Sequence, residues 1–159
     1  MEALAINTKN FQLVEKGQLL GELFYENLFS EKATIKLPNA ENYLIKPRSI
    51  FKTTIDITKN ETEIGSFKMN WRGQIEFVFQ DGQEFLLKGK GFFHNKYTLE
   101  NKNGEKLMEF KPQFVWRKFR YNYSIHLDNK PIDDYFVLLV VYATNYIIAT
   151  ASSASSGMG

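Results

Sequence analysis

A chain of 159 residues that is 43% hydrophobic and 24% charged, with a formal net charge of +2, has the composition of one globular domain and not of a disordered or low-complexity polymer. The lack of cysteine excludes a disulfide framework, a thiolate nucleophile and thiolate metal sites. The near-zero balance argues against holding nucleic acid by net charge alone. What stands out is the ring content, 14 Phe, 8 Tyr and 2 Trp, for which a small domain must find room.

In chain order, Met1 to Asn10 shows no basic stretch followed by an apolar run, so no signal peptide is read and the cytoplasm is the expected compartment. Turn signals then punctuate the chain at Lys16-Gly17, Pro38-Asn39, Lys59-Asn60, Asp81-Gly82, Asn103-Gly104 and Asp128-Asn129. Asp-Gly and Asn-Gly are strong hairpin signals, because a type I′ turn needs positive φ at both central residues. Between the turns the apolar residues alternate: Ile55 and Ile57; Ile75, Phe77 and Phe79; Tyr97 and Leu99. The longest run sets Phe119, Tyr121, Tyr123, Ile125 and Leu127 against Arg120, Asn122, Ser124 and His126, a strand with one buried face. The pattern predicts about a dozen short strands in a meander.

The meander repeats itself. At one constant offset Ile35, Leu37, Tyr43, Phe51 and Ile55 superpose on Phe77, Phe79, Phe85, Phe93 and Tyr97, and one inserted residue later Phe67 falls on Phe110. A weaker copy relates residues 13 to 23 to residues 57 to 67. Each unit reads as four strands. A propeller needs more units than the chain holds, so a closed barrel or curled sheet is expected.

Residues 135 to 151 carry no charge, and Pro131, Asp133 and Asp134 stand before them as helix-start signals. A helix without a polar face is buried all round, in lipid or in protein. At 1.5 Å per residue the segment spans roughly 25 Å, close to the roughly 26 Å of an eight-residue strand before tilt, whereas a bilayer usually needs ~20 apolar residues. Three readings compete: a helix in the barrel lumen, a tail anchor, and one more buried strand pair. The lumenal helix is preferred, because a barrel of about a dozen strands is too wide for its own side chains to fill. Thr144, Asn145 and the absence of a following basic residue also weigh against a membrane span. The expected fold is all-β with one C-terminal helix: a closed antiparallel barrel of about twelve strands in repeating four-strand units, wrapped around a buried hydrophobic helix. Residues 1–151 form the single domain with its central helix at 133–151, and residues 152–159, rich in Ser and Gly, form a disordered tail.

This arrangement resembles the tubby C-terminal-like superfamily, which includes the LURP-one-related proteins and the phospholipid scramblases. The resemblance runs through residues 21 to 37, 63 to 77, 82 to 93 and 104 to 112 and the terminal helix, and rests on pattern and topology. It implies a helix threaded through the barrel and binding of phospholipid or phosphoinositide. For the scramblases it also implies a C-terminal helix described as a membrane span. The acidic calcium-binding segment and cysteine-rich stretch of scramblases have no counterpart in this sequence, which argues against calcium-triggered lipid transfer.

Catalytic chemistry finds little support. His126 falls on the polar phase of a strand and His94 in a loop beside two Phe; both read as structural or solvated. Ser30 and Ser49 lack a nucleophile-elbow setting. Asp133 and Asp134 read as helix capping more than as a metal or acid/base pair. The glycines of residues 88 to 93 lack the length and following helix of a phosphate loop and read as a turn. No enzyme, cofactor or metal site is expected.

Charge placement is more informative. In an up-and-down meander, connections alternate between the two ends. One end collects linkers containing Lys32, Lys46, Arg48, Lys52, Arg72, Lys88, Lys90, Lys96, Arg117 and Lys118, opposed mainly by Glu31, while the other is mixed or acidic. The basic end also carries Phe51, Trp71, Phe92, Phe93 and Trp116. These rings either close the barrel as core or face an anionic lipid surface beside the cations, each of which contributes about 1 kcal/mol near such a surface. The candidate lipid-binding residues are Lys46, Arg48, Lys88, Lys90, Arg117 and Lys118. The expected function is a non-enzymatic module binding anionic phospholipid headgroups at a membrane surface. The alternatives are a protein-interaction scaffold and a scramblase-like protein anchored by its helix; nucleic acid is not an expected partner.

Overall fold

The computed structural model describes residues 1–27, 30–50, 53–91, 95–128 and 131–157. Twelve antiparallel strands follow one another around a ring: β1 (Glu2–Ala5), β2 (Asn10–Glu15), β3 (Gln18–Tyr25), β4 (Ala33–Lys36), β5 (Asn42–Pro47), β6 (Ile55–Lys59), β7 (Thr62–Met69), β8 (Ile75–Phe79), β9 (Glu84–Lys90), β10 (Lys96–Asn101), β11 (Lys106–Val115) and β12 (Arg120–Leu127). β12 pairs with β1 and closes the barrel, so no sheet edge is left open. The single helix α1 (Asp134–Gly157) follows.

Period-two patterning is realised along the wall. Phe11, Leu13, Ile35, Ile45, Ile55, Ile57, Phe67 and Phe77 point into the lumen and are buried, while their strand neighbours face outward. Turn chemistry agrees: Asn60 and Glu61 take φ of 51° and 66° between β6 and β7, the left-handed pair that a two-residue hairpin needs. Ladder register shifts occur between β2 and β3, β6 and β7, and β10 and β11. The meander has no seam at the expected boundaries of four-strand units, since each strand pairs with both sequence neighbours.

Of the three readings of the apolar segment, the lumenal helix is the one observed. Val137 to Val141, Ala143 and Thr144 are fully buried. By length and composition Asp134–Ser152 would suffice to cross a bilayer, yet most of it is enclosed by strands. Wall and helix meet ring against ring. Phe136 lies 5.7 Å from Phe77, 5.4 Å from Phe79 and 4.8 Å from Phe85 between centroids. Tyr142 stacks on Tyr25 at 5.5 Å, and Tyr135 stacks on Tyr43 at 4.3 Å.

Two inward glycines set the closest approaches. A Cβ on Gly21 would sit 2.9 Å from Leu138 Cδ1 of the helix, and one on Gly65 would sit 2.9 Å from the Val78 carbonyl and 2.8 Å from Phe79 Cδ1. These glycines superpose in the weaker sequence copy, so the repeat preserves a lack of side chain as well as a pattern of rings.

The polar residues of the helix are satisfied inside the barrel. Tyr123 donates to Asn145 Oδ1 at 2.6 Å, Asn145 Nδ2 donates to the Tyr25 hydroxyl at 3.1 Å, and Thr144 donates to the Val140 carbonyl at 2.8 Å. The Tyr142 hydroxyl donates to the Glu31 carbonyl.

Three expectations are corrected. Phe119 is not the first lumenal residue of the last strand: its φ is 50° and its side chain is exposed, so β12 starts at Arg120 and the inward phase at Tyr121. The helix does not end at 151 but continues to Gly157, because Ala and Ser offer no breaker before that glycine. Asp133 receives the first helix amides, Phe136 N at 2.9 Å and Val137 N at 3.2 Å, on its backbone carbonyl and not on its carboxylate.

Candidate functional site

The strand order gives the barrel two unlike ends. Connections 6–9, 26–32, 48–54, 70–74, 91–95 and 116–119 lie at the loop end. Connections 16–17, 37–41, 60–61, 80–83 and 102–105 lie at the turn end, where the helix enters after residue 127. The helix rises toward the loop end, where Tyr142 meets Glu31.

Large apolar side chains are exposed chiefly at the loop end. Trp71 is 88% exposed, Ile50 87%, Trp116 77% and Phe119 73%. The reading of Trp71 as a core plug is therefore overturned. Phe51, Lys52, Phe92, Phe93 and His94 lie outside the described residues.

The local architecture that presents these rings is specific. In connection 70–74 the Asn70 side chain accepts from the amides of Arg72 at 2.9 Å and Gln74 at 3.0 Å, which holds Trp71 and Arg72 at the tip. The Arg72 guanidinium lies 4.9 Å from the Trp71 ring centroid. In connection 116–119 the residues alternate between anchoring and exposure. Lys118 Nζ donates to the Ala5 carbonyl at 2.8 Å and Arg120 Nε to the Thr8 carbonyl at 2.7 Å. Trp116, Arg117 and Phe119 are left facing solvent. Phe114 braces Trp116 edge-on at 4.9 Å.

Beneath this rim Arg120 packs over Tyr25 at 5.1 Å and Phe11 at 5.8 Å, covering the lumen. Burial pushes the Tyr25 hydroxyl up to about 12, against the lowering effect of its bond from Asn145 and of Arg120.

The six cations singled out from the sequence divide into two groups. Lys46 at the end of β5, Lys90 at the end of β9 and Arg117 in the loop are exposed and hold no ion pair among the described residues. The others are engaged. Arg48 turns down the outer wall to Asp56 at 2.7 Å and Glu63 at 3.1 Å, and the hydrogen bonds it donates to the Asp56 carboxylate strengthen its hold on its proton. Lys88 lies along the wall 2.7 Å from Glu100, and Lys118 is the anchor described above. Arg72, Lys68 near the end of β7 and, in the first connection, Lys9 are also exposed rim cations without an ion pair among the described residues. Lys32 is paired with Glu26 at 3.7 Å and Lys96 with Glu109 at 3.5 Å.

The turn end is concave and acidic. Two clefts of about 530 Å³ and 770 Å³ flank Tyr135 and share Phe79, Asp81 and Asp133 as walls. Burial, then Tyr43, Asp133 and Asp81, push the Tyr135 hydroxyl up to about 12. Burial with the neighbouring Asp133 and Glu15 raises the Asp134 carboxyl above its ordinary value. Glu84 and Glu41 are balanced by Lys102 at 3.1 Å and Lys59 at 3.3 Å. No group of three metal-ligating side chains occurs among the described residues. His126 stands outside on the wall, 3.3 Å from Asp128. Of the glycine-rich stretch, Gly89 belongs to β9, and Gly91 alone has a positive φ, 83°.

Compared with known proteins, the chain matches no family model, no curated protein and no solved structure.

Proposed function

We propose that this protein is a non-enzymatic binding module of the tubby-like kind that docks peripherally on anionic phospholipid through its loop end, at the cytoplasmic face of a membrane. One observation carries the reading: Trp71 and Trp116, each with an arginine beside it in sequence, are exposed on two loops of a single barrel end, with connection 91–95 between them. Exposed rings rimmed by cations suit a negatively charged interface, where aromatic residues settle at headgroup depth and each Lys or Arg adds about 1 kcal/mol. The filled lumen supports a surface-acting module over a lipid carrier. Of the six cations expected from the sequence, Lys46, Lys90 and Arg117 are the ones free to meet phosphate, with Arg72 and Lys9 beside them.

Flotation with vesicles of phosphatidylcholine, alone or with phosphatidylserine, tests the proposal at low and moderate salt. Binding that requires the anionic lipid and weakens with salt is expected. Failure to float under every condition contradicts it. A protein-interaction role draws support from the turn end, where two clefts combine aromatic walls with Asp81 and Asp133, for which no ion pair occurs among the described residues. A partner recovered by pull-down whose binding survives charge reversal at the loop end favours that role.

A further inference from the structure

We infer that the loop end enters the bilayer interface end-on, with Ile50, Trp71, Trp116 and Phe119 as apolar wedges, so that its target is a loosely packed anionic bilayer and not a soluble phosphate ligand. This rests on the phospholipid reading above and adds a second, salt-resistant component to it.

The placement of the four side chains is the first ground. They come from connections 48–54, 70–74 and 116–119, which share one end of the barrel, and each is more than two-thirds exposed. A soluble domain scatters single exposed apolar residues over its surface. Here, among the described residues, the four largest exposures converge on one end, and the other exposed large apolar residues fall at or below about half exposure.

The second ground is the backbone at Phe119. A bulky residue at φ 50° is disfavoured, and the alternation of β12 would have carried this ring into the lumen. Instead both flanking side chains are tied back, Lys118 to Ala5 and Arg120 to Thr8, and the intervening ring is turned outward. A conformation of this kind persists where the surroundings over-determine it, which is common at functional sites.

Shape and charge complete the argument. The two large clefts lie at the opposite end, and the described residues of the loop end offer projecting rings with cations beside them. Among its exposed cations, Arg72 and Arg117 are next in sequence to the two tryptophans, which matches rings below the phosphates and guanidinium groups at their level. The anionic bilayer is thus the partner that complements both the charge and the apolar projections.

The chain has two tryptophans and both are wedges, so intrinsic fluorescence reports on this site without a label. Full-length protein is mixed with unsaturated phosphatidylcholine vesicles containing phosphatidylserine, with or without acyl-chain bromine, and with saturated vesicles of equal charge. The expected result is a blue shift on binding, quenching by the bromines, and flotation weaker by about tenfold on the saturated vesicles. Trp71→Ser with Trp116→Ser is expected to reduce flotation by about tenfold at moderate salt while its melt stays unchanged. Protein that floats on anionic vesicles with unshifted, unquenched emission overturns the wedge and leaves headgroup binding standing. Protein that floats on none of the vesicles overturns both.

Discussion

The lumen and the loop end use the same kind of side chain to opposite purposes. Phe136 and Tyr142 are enclosed by rings of the wall, and the Tyr142 hydroxyl is hydrogen-bonded to the Glu31 carbonyl. Trp71 and Trp116 face water, and among the described residues an arginine braces the one and Phe114 the other. Folding draws its stability from the first set. The second set contributes almost nothing to folding, and its apolar area is left for a partner. The high ring content is therefore two populations: an annulus that fills a barrel too wide for its own wall, and a small group held out at one end.

That division can be broken from the lumenal side first. Phe136→Ala removes the ring that meets Phe77, Phe79 and Phe85, and is expected to cost about 3–5 kcal/mol in a denaturant titration. Gly65→Ala pushes a methyl against the Val78 carbonyl and the Phe79 ring and should cost about 1–3 kcal/mol. Asn145→Ala leaves the buried Tyr123 hydroxyl without its acceptor, an expected loss of about 1–3 kcal/mol.

Alkaline titration probes the same set without mutation. Tyr25 and Tyr97 are raised by burial from 10.0 to about 12, so between these values the native state keeps protons that the unfolded chain releases. Their contribution is intact below pH 10 and is lost as pH rises toward 12. Most tyrosinate absorbance should therefore appear together with the loss of circular dichroism. Tyrosinate formed in an intact barrel by Tyr25 and Tyr97 at their ordinary value would contradict the enclosed lumen.

At the rim the sign of the expectation changes. Trp71→Ser with Trp116→Ser should leave folding stability within about 0.5 kcal/mol, as for surface substitutions without buried partners. A large loss of stability there would mean that these rings are core after all.

Much of this fold is legible in the sequence because its signals are local. Alternation of Ile55 with Ile57 needs two residues to be read, the Asn60 turn needs the same, and the uncharged run from 135 to 151 announces its own burial. The rim is legible only in part, because its outcome depends on distant partners. Nothing near Lys118 in the chain indicates that its ammonium meets the carbonyl of Ala5, and nothing near Lys88 points to Glu100. Arg48 reads as a rim cation until the pairing of β5, β6 and β7 brings Asp56 and Glu63 alongside it. Phe119 follows the period of its strand in sequence and departs from it in space, since a single left-handed residue reverses a side chain without altering the pattern of letters. The exposure of Trp71 and Trp116 follows from loop geometry, to which residue type alone is blind.

The most direct test of the claim that the two ends differ in function is a matched pair of charge reversals read by flotation on phosphatidylserine-containing vesicles. Arg72→Glu with Arg117→Glu alters the loop end, and Lys16→Glu with Lys102→Glu alters the turn end by the same net charge. The loop-end pair is predicted to weaken binding by about thirtyfold or more, given about 1 kcal/mol per cation near an anionic surface, and the turn-end pair by about twofold at most. Equal losses from the two pairs, or a larger loss from the turn-end pair, would contradict the account.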